Sequence, residues 1–161
     1  MIRPAHSSDA HAIIGIYNHY IAHSTITFEE QPVSAQQMAD RIAEVQSAPL
    51  PWLVAEQSGL VVGFAYASKW KARSAYRYSV EISVYVQQGA SGQGLGSELY
   101  AALFAALKER GVHVIIGGIA LPNPLSVALH EKFGFKKVAH FEQVGFKFGR
   151  WIDVGYWQLV P

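Results

Sequence analysis

Glu81 and the glycines that follow it are the residues of this chain best placed to do chemistry. Within residues 78–100, YSVEISVYVQQGASGQGLGSELY, Val80, Ile82, Val84 and Val86 alternate with Glu81, Ser83 and Tyr85. That period of two marks a strand with one face in the core, and it sets a carboxylate, a hydroxyl and a phenol on the other. Gly89, Gly92, Gly94 and Gly96 come next, and Leu95, Leu99, Leu103 and Leu107 then recur at helical spacing. Glycines at a helix entrance let backbone N–H groups approach a ligand, and free donors with the helix dipole favour an anion there. A carboxylate just before an anion site suits an enzyme that holds a phosphorylated carrier and deprotonates a molecule beside it. The glycine run lacks the GK[ST] ending of a nucleoside-triphosphate loop and does not fit the dinucleotide pattern G-x-G-x-x-G. Taken alone, a turn without function would also account for it.

Three other groups could take part. In LPNPLSVALHEKFGF, residues 121–135, Asn123 is placed to cap a short helix with Pro124 at its first position. Ser126 and His130 are then four apart on one side of that helix, and Gly134 ends it. His130 is either a structural core histidine or a catalytic one; no second histidine makes His130-Glu131 a zinc motif. The segment KWKARSAYR, residues 69–77, brings four cations and two aromatics directly before the strand of Glu81. It reads as a solvated loop or as a carboxylate-recognising one, since guanidinium and ammonium groups bind carboxylates by charge-assisted hydrogen bonds. Phe28, in STITFEEQP, is a core plug or a pocket wall. His19 and His23 have a metal-compatible spacing, but no third ligand stands near them in sequence, so no metal site is expected.

The elements that must position these groups can be read from pattern and punctuation. A short strand at 2–4 precedes a helix that Ser7, Ser8 or Asp9 can cap, with Ile13, Ile14, Tyr17 and Ile21 inward. Ser34 opens a second helix with Met38, Ile42 and Val45 inward. Strands follow at 52–56 and 60–68 around the turn QSG, then the strand of Glu81 and the leucine helix. An apolar strand at 112–120, the His130 helix and a hairpin around Phe148-Gly149-Arg150 complete the chain, with Trp151, Tyr156 and Trp157 expected inward. The order β-α-α-β-β-β-α-β-α-β-β predicts an α/β mixed sheet with helices on both faces and a parallel crossover between 78–87 and 112–120.

Composition narrows the function classes. A chain of 161 residues, half of them hydrophobic and 16% charged, is expected to fold as one domain. It has no cysteine, which removes disulfide, thiolate and cysteine-zinc chemistry. A net charge of +1 with no Lys/Arg run argues against a nucleic-acid partner. No apolar run approaches the ~20 residues of a membrane span and the first residues lack a secretory pattern, so the expected location is cytoplasmic.

Together these residues resemble the GNAT superfamily of acyl-CoA-dependent N-acyltransferases over about residues 2–160. Its strand, Q/R-x-x-G-x-G/A, helix motif falls on Ser91-Gly92-Gln93-Gly94-Leu95-Gly96, with Ser91 where the family has Gln or Arg. Within the superfamily the likeness is to phosphinothricin and methionine-sulfoximine N-acetyltransferases. It is carried by NHYIAHSTITFEE, YASKWKARSAYRYSVEISVYV, ALPNPLSVALHEKFGF and QVGFKFGRWIDVGYWQL. The resemblance implies a GNAT fold, with a central mixed, mostly antiparallel twisted sheet, and acetyl-CoA as co-substrate. It makes Glu81 the general base and gives a catalytic role to His130, where many other GNAT enzymes carry a tyrosine. Cofactor contacts fall on the backbone of Val84, Tyr85 and Val86, on Gly92, Gln93, Gly94, Leu95, Gly96 and Ser97 around the pyrophosphate, and on Asn123 and Ser126. Substrate contacts fall on Phe28, Lys71, Ala72, Arg73, Ile82 and Ser83 as well as Glu81. A homodimer is implied, with the partner helping to close the pocket on a small amine bearing an acidic or sulfone group. Two alternatives stay open: acetylation of another amine (an antibiotic, a polyamine or a peptide N-terminus), and a CoA-binding sensor without catalysis. The cationic loop disfavours a polyamine, because like charges repel.

Overall fold

The computed structural model describes residues 1–90 and 94–160. Strand β1 (Ile2–Pro4) is followed by a short 3-10 turn, Ser7–Asp9, and helix α1 (Ala10–His23). Asp9 does not cap α1 as expected: its carboxylate accepts the His6 N–H and pairs with Arg3, closing the preceding turn. Helix α2 (Ala35–Ser47) starts at Ser34, whose hydroxyl accepts the Gln37 N–H while the Gln37 side chain takes the Ser34 N–H.

Strands β2 (Trp52–Gln57), β3 (Leu60–Lys69) and β4 (Ser79–Val86) form an antiparallel meander. Helix α3 (Leu95–Glu109) then crosses over to β5 (Val114–Ala120), which lies parallel to β4. Helix α4 (Pro124–Lys132) leads to the closing hairpin of β6 (Lys136–Lys147) and β7 (Arg150–Leu159). All the strands join one sheet in the order β1-β2-β3-β4-β5-β7-β6, and β4–β5 is its parallel pairing.

Both faces of the sheet are covered. Leu95, Leu99, Leu103 and Leu107 of α3 are all buried against Ala65, Ala67, Val80 and Ile82. On the other face, Ile13, Ile16, Tyr17 and Ile21 of α1 and Met38 and Ile42 of α2 cover Trp52, Val54, Phe64 and Tyr85. Tyr85 therefore sits in a second core, not on an open polar face, because α1 and α2 dock over that end of β4. Trp151 differs as well: it is 63% exposed on β7, while Trp157 is buried. Alternation puts Trp151 and Trp157 on the same face of β7, where Trp157 joins the core packed with α3 while Trp151, beside the hairpin turn, packs against Phe146. Among the described residues, no helix is long and apolar enough to cross a membrane.

Candidate active site

Strands β4 and β5 pair only from Ser79–Val114 to Glu81–Ile116, although both run on, to Val86 and Ala120. Beyond Glu81 they part, and a wedge opens between them. The Tyr78 carbonyl accepts from His113 and Val114 on the β5 side, whereas the Ser79 carbonyl accepts from Trp70 on the β3 side. Even-numbered residues of β4 therefore address β5, so Ile82 and Val84 aim their N–H and C=O groups into the wedge. An extended ligand with amide groups could pair there as an extra strand does. Val86 lies at the far end, and its carbonyl accepts the Tyr20 hydroxyl.

Glu81 is the residue at which the strands part. Its side chain lines a cavity of about 510 Å³ with Phe28, Ile82, Ser83, Gly118, Phe141, Val144 and Tyr156 among the walls. Gly118 on β5 makes room for it, since a Cβ there would lie 3.3 Å from Glu81 Oε2 and 3.0 Å from the Tyr156 ring. Burial pushes the Glu81 carboxyl above its ordinary value, and the Lys71 ammonium partly opposes that. Lys71 stands in an adjoining hollow of about 320 Å³, walled by Trp70, Phe141 and Tyr156. Ala72 and Arg73 are exposed and line neither cavity, so of the cationic loop only Lys71 is brought to Glu81. A larger hollow of about 610 Å³ lies under α2, but neither Glu81 nor His130 lines it.

On the other side of the wedge, Asn123 caps α4 by accepting the Ser126 N–H. The helix holds His130 3% exposed beneath β5, where the absence of a side chain at Gly117 admits the imidazole. His130 Nδ1 is 2.7 Å from the Ser126 carbonyl oxygen, so that nitrogen carries a proton and donates it. Nε2 lies 3.3 Å from the Tyr100 hydroxyl. Burial holds the His130 imidazole below its ordinary pKa, and in the neutral ring Nε2 accepts the Tyr100 O–H. Tyr100, His130, Asn123 and Ser126 share a small hollow with Ser83, Val84, Tyr85, Gly118 and Ile119, where the wedge deepens. The sequence reading missed Tyr100: it follows Leu99 on the buried side of α3, and only a partner 30 residues away distinguishes it from a core aromatic.

Gly94 enters α3 with φ of +78°, a left-handed conformation that favours glycine. Glu98 N–H makes the first helical bond to the Gly94 carbonyl, so helix geometry leaves the N–H groups of Leu95, Gly96 and Ser97 without intrahelical acceptors. Lys132 at the end of α4 donates to Ser97 Oγ at 3.0 Å, adding a cation that the sequence reading did not single out. Gly92 and Gln93, expected at the same site, lie outside the described residues.

Phe28 is a wall and not a plug: it is 40% exposed, and its ring lies over Gly145 of β6 beside the Glu81 cavity. His19 and His23 lie with ring centroids 4.8 Å apart and planes tilted by 43°, and among the described residues no cluster of three metal-ligating side chains forms.

A family model described as the acetyltransferase (GNAT) domain matches residues 2–155. The chain is 43% identical over 157 residues to a phosphinothricin N-acetyltransferase of Streptomyces viridochromogenes, covering 98% of this chain and 85% of that protein. It is 38% identical over 161 residues to an L-methionine sulfoximine/L-methionine sulfone acetyltransferase of Salmonella typhimurium, covering 98% and 92%. Among solved structures, a GNAT superfamily phosphinothricin acetyltransferase from Sinorhizobium meliloti in complex with acetyl-CoA superposes with a TM-score of 0.96 at 35% identity, over 99% of this chain and 87% of that one. With a wedge between parting parallel strands, open donors at the start of α3 and this extent of similarity, the chain belongs to the GNAT family of acetyltransferases.

Proposed function

We propose that this protein is an acetyl-CoA-dependent N-acetyltransferase acting on the α-amino group of small amino-acid analogues of the phosphinothricin and methionine sulfoximine type. The observation that carries the proposal is Glu81, a half-buried carboxyl at the point where β4 and β5 part, with a substrate-sized cavity on one side and an open strand edge on the other. An α-amino group arrives protonated at neutral pH and must lose a proton before it can attack. Glu81, its pKa raised by burial, is the base that takes it. Acetyl-CoA supplies a thioester that the free amine attacks, with CoA as the leaving group. In this reading the Ile82 and Val84 backbone pairs with the pantetheine amides, and the donors of Gly94, Leu95, Gly96 and Ser97 take the pyrophosphate, helped by Lys132. Gly92 and Gln93 belong to the same proposed loop.

His130 and Tyr100 act in this scheme as a pair. Resemblance gives His130 the task of supplying a proton or a positive charge to the departing sulfur. A buried, neutral imidazole is no standing charge, so the role that follows is to orient and relay the Tyr100 proton at the wedge. Asn123 and Ser126 hold the helix that presents it. Phe28, Ser83 and Ile82 form the wall around the substrate, and Lys71 attracts its acidic or sulfone group. Ala72 and Arg73 stay part of the proposed recognition loop only through movement of that loop on binding.

The test is CoA release across phosphinothricin, methionine sulfoximine, methionine sulfone, methionine, spermidine and a short peptide. Turnover on the first three with little on the last two is expected. Turnover on spermidine or peptide alone would replace the substrate class, and acetyl-CoA binding without turnover on any amine would favour the sensor reading. A second expectation concerns pH. Glu81 must be ionised to act, and the Lys71 cation lowers its pKa, so Lys71→Met should move the acid limb of kcat/KM to higher pH. An unmoved limb would dissociate Lys71 from the base.

The same reading includes a homodimer. Val144, Phe146, Phe148 and Trp151 are each more than half exposed on the closing hairpin, whose strand β6 is a sheet edge. Phe146 and Trp151 meet with ring centroids 4.7 Å apart, and an apolar patch of this kind favours a partner surface. Trp151→Glu should convert a dimer to a monomer in light scattering; a wild-type protein that is itself monomeric would end this part of the reading.

A further inference from the structure

Lys147 is buried, only 2% exposed, near the end of β6. Among the described residues no carboxylate forms an ion pair with it. Its ammonium instead donates to the carbonyl oxygens of Ser24 and Thr27, at 2.8 Å each, and lies 5.1 Å from the Phe148 ring centroid. Burying an ammonium without a direct ion pair is unfavourable, with Glu30 and Glu29 offsetting only part of the cost from a distance, and a thioether or alkyl side chain of similar length would fill the space at lower cost. What only the ammonium does is satisfy two carbonyls of an irregular segment that no helix or strand serves. Burial accordingly holds the Lys147 pKa below its ordinary value.

That segment is the one that carries Phe28. Thr27 is fixed from its other side by the Tyr17 hydroxyl at 2.8 Å, so the residue before Phe28 is clamped between α1 and β6. Two positions before Lys147 on the same face of β6, Gly145 receives the Phe28 ring: a Cβ there would meet its Cε2 and Cζ at 2.5 Å. Gly145 and Lys147 thus make one seat, the glycine giving the ring its place and the lysine holding the backbone that delivers it. We propose that Lys147 is a positioning residue for the amine substrate, setting the Phe28 wall of the Glu81 cavity by tethering the Ser24 and Thr27 carbonyls to β6. The proposal rests on the acetyltransferase reading for its kinetic consequence, but not for the tether itself.

The experiment is Lys147→Met, read by steady-state kinetics, by acetyl-CoA binding and by amide hydrogen exchange. The amine KM should rise about tenfold or more with kcat within about threefold, since ground-state positioning is lost and the base is untouched. Acetyl-CoA affinity should hold, and exchange should quicken about tenfold at residues 25–29 while α3 and β4 keep their protection. Phe28→Ala should raise KM similarly, and the double variant should add little, because one acts through the other. If Lys147→Met does not fold, Lys147→Leu, which likewise removes the donor, takes its place with the same readouts. An amine KM within twofold of wild type, additive KM effects with Phe28→Ala, or exchange that quickens evenly through the sheet would overturn the proposal. Should the wild type turn over no amine, the acetyltransferase reading fails on its own, and the exchange at residues 25–29 still decides whether Lys147 holds the loop.

Discussion

Glu81→Gln should lower kcat/KM for the amine by about 10²–10⁴-fold, the range over which a positioned general base contributes. The substitution keeps the size and planarity of the side chain and removes only its ability to take a proton. Two further outcomes make the result specific. Acetyl-CoA binding should be unchanged, because the wedge edge at Ile82 and Val84 and the donors at the start of α3 do not involve the carboxylate. The acid limb of the wild-type profile should lie above the ordinary carboxylate range, because burial disfavours the ionised form and Lys71 recovers only part of that. In the Gln variant part of the lost rate should return as pH is raised, because an amine deprotonated in bulk water no longer needs the Glu81 base. Full turnover in Glu81→Gln would show that the amine is deprotonated elsewhere, and the role of this strand would reduce to binding.

Gly117→Ala is expected to be nearly as damaging, at a position with no chemical group of its own. A Cβ there would lie 2.5 Å from His130 Nε2 and 2.7 Å from Cδ2, distances that real contacts do not tolerate. The ring has little freedom to retreat: Nδ1 is bonded to Ser126, and Tyr100 and Phe135 meet it edge-on. Helix α4 must therefore lift from β5, carrying the imidazole away from the Tyr100 hydroxyl. Overpacking of this kind costs about 1–3 kcal/mol, which for a chain of this size corresponds to about 2–12 °C in Tm. The displacement should cost about 10²-fold in kcat. A thermal melt and a kcat measurement on one preparation check both, and wild-type values for both would mean that His130 is not seated as described. Gly118→Ala, one residue on, makes a useful contrast: its Cβ faces Glu81 Oε2 and Tyr156 at 3.3 and 3.0 Å, where small adjustments suffice, so the loss should be smaller and fall on the amine.

The two variants probe different kinds of information. Glu81 could be picked out from the sequence because strand periodicity and the following glycines are local signals, read from residues within twenty positions. The leucines of α3, the Asn123 cap, the parallel β4–β5 crossover and the order of elements were legible for the same reason: each is set by short-range spacing or by the few connections that chirality permits. Resemblance supplied the co-substrate and the residue roles, which spacing alone could not have given. The fate of Tyr85 and Trp151 was not legible, because burial on a given face depends on which helix docks over it and which strand forms the sheet edge.

What the chain determines by itself is therefore the list of elements and the carboxylate beside a glycine-rich turn. What only the tertiary structure decides is which distant groups meet. The wedge exists because β4 and β5 share three paired positions and then diverge, a matter of register and twist between segments separated by a whole helix. Tyr100 joins His130 across 30 residues, and Lys147 reaches Thr27 across 120. Such contacts leave no periodic trace in sequence: a tyrosine on a leucine face reads as core, and a lysine in a strand reads as solvated. They become visible only when burial removes water as the alternative partner, since a buried donor or acceptor must then be satisfied by whatever the fold has brought to it.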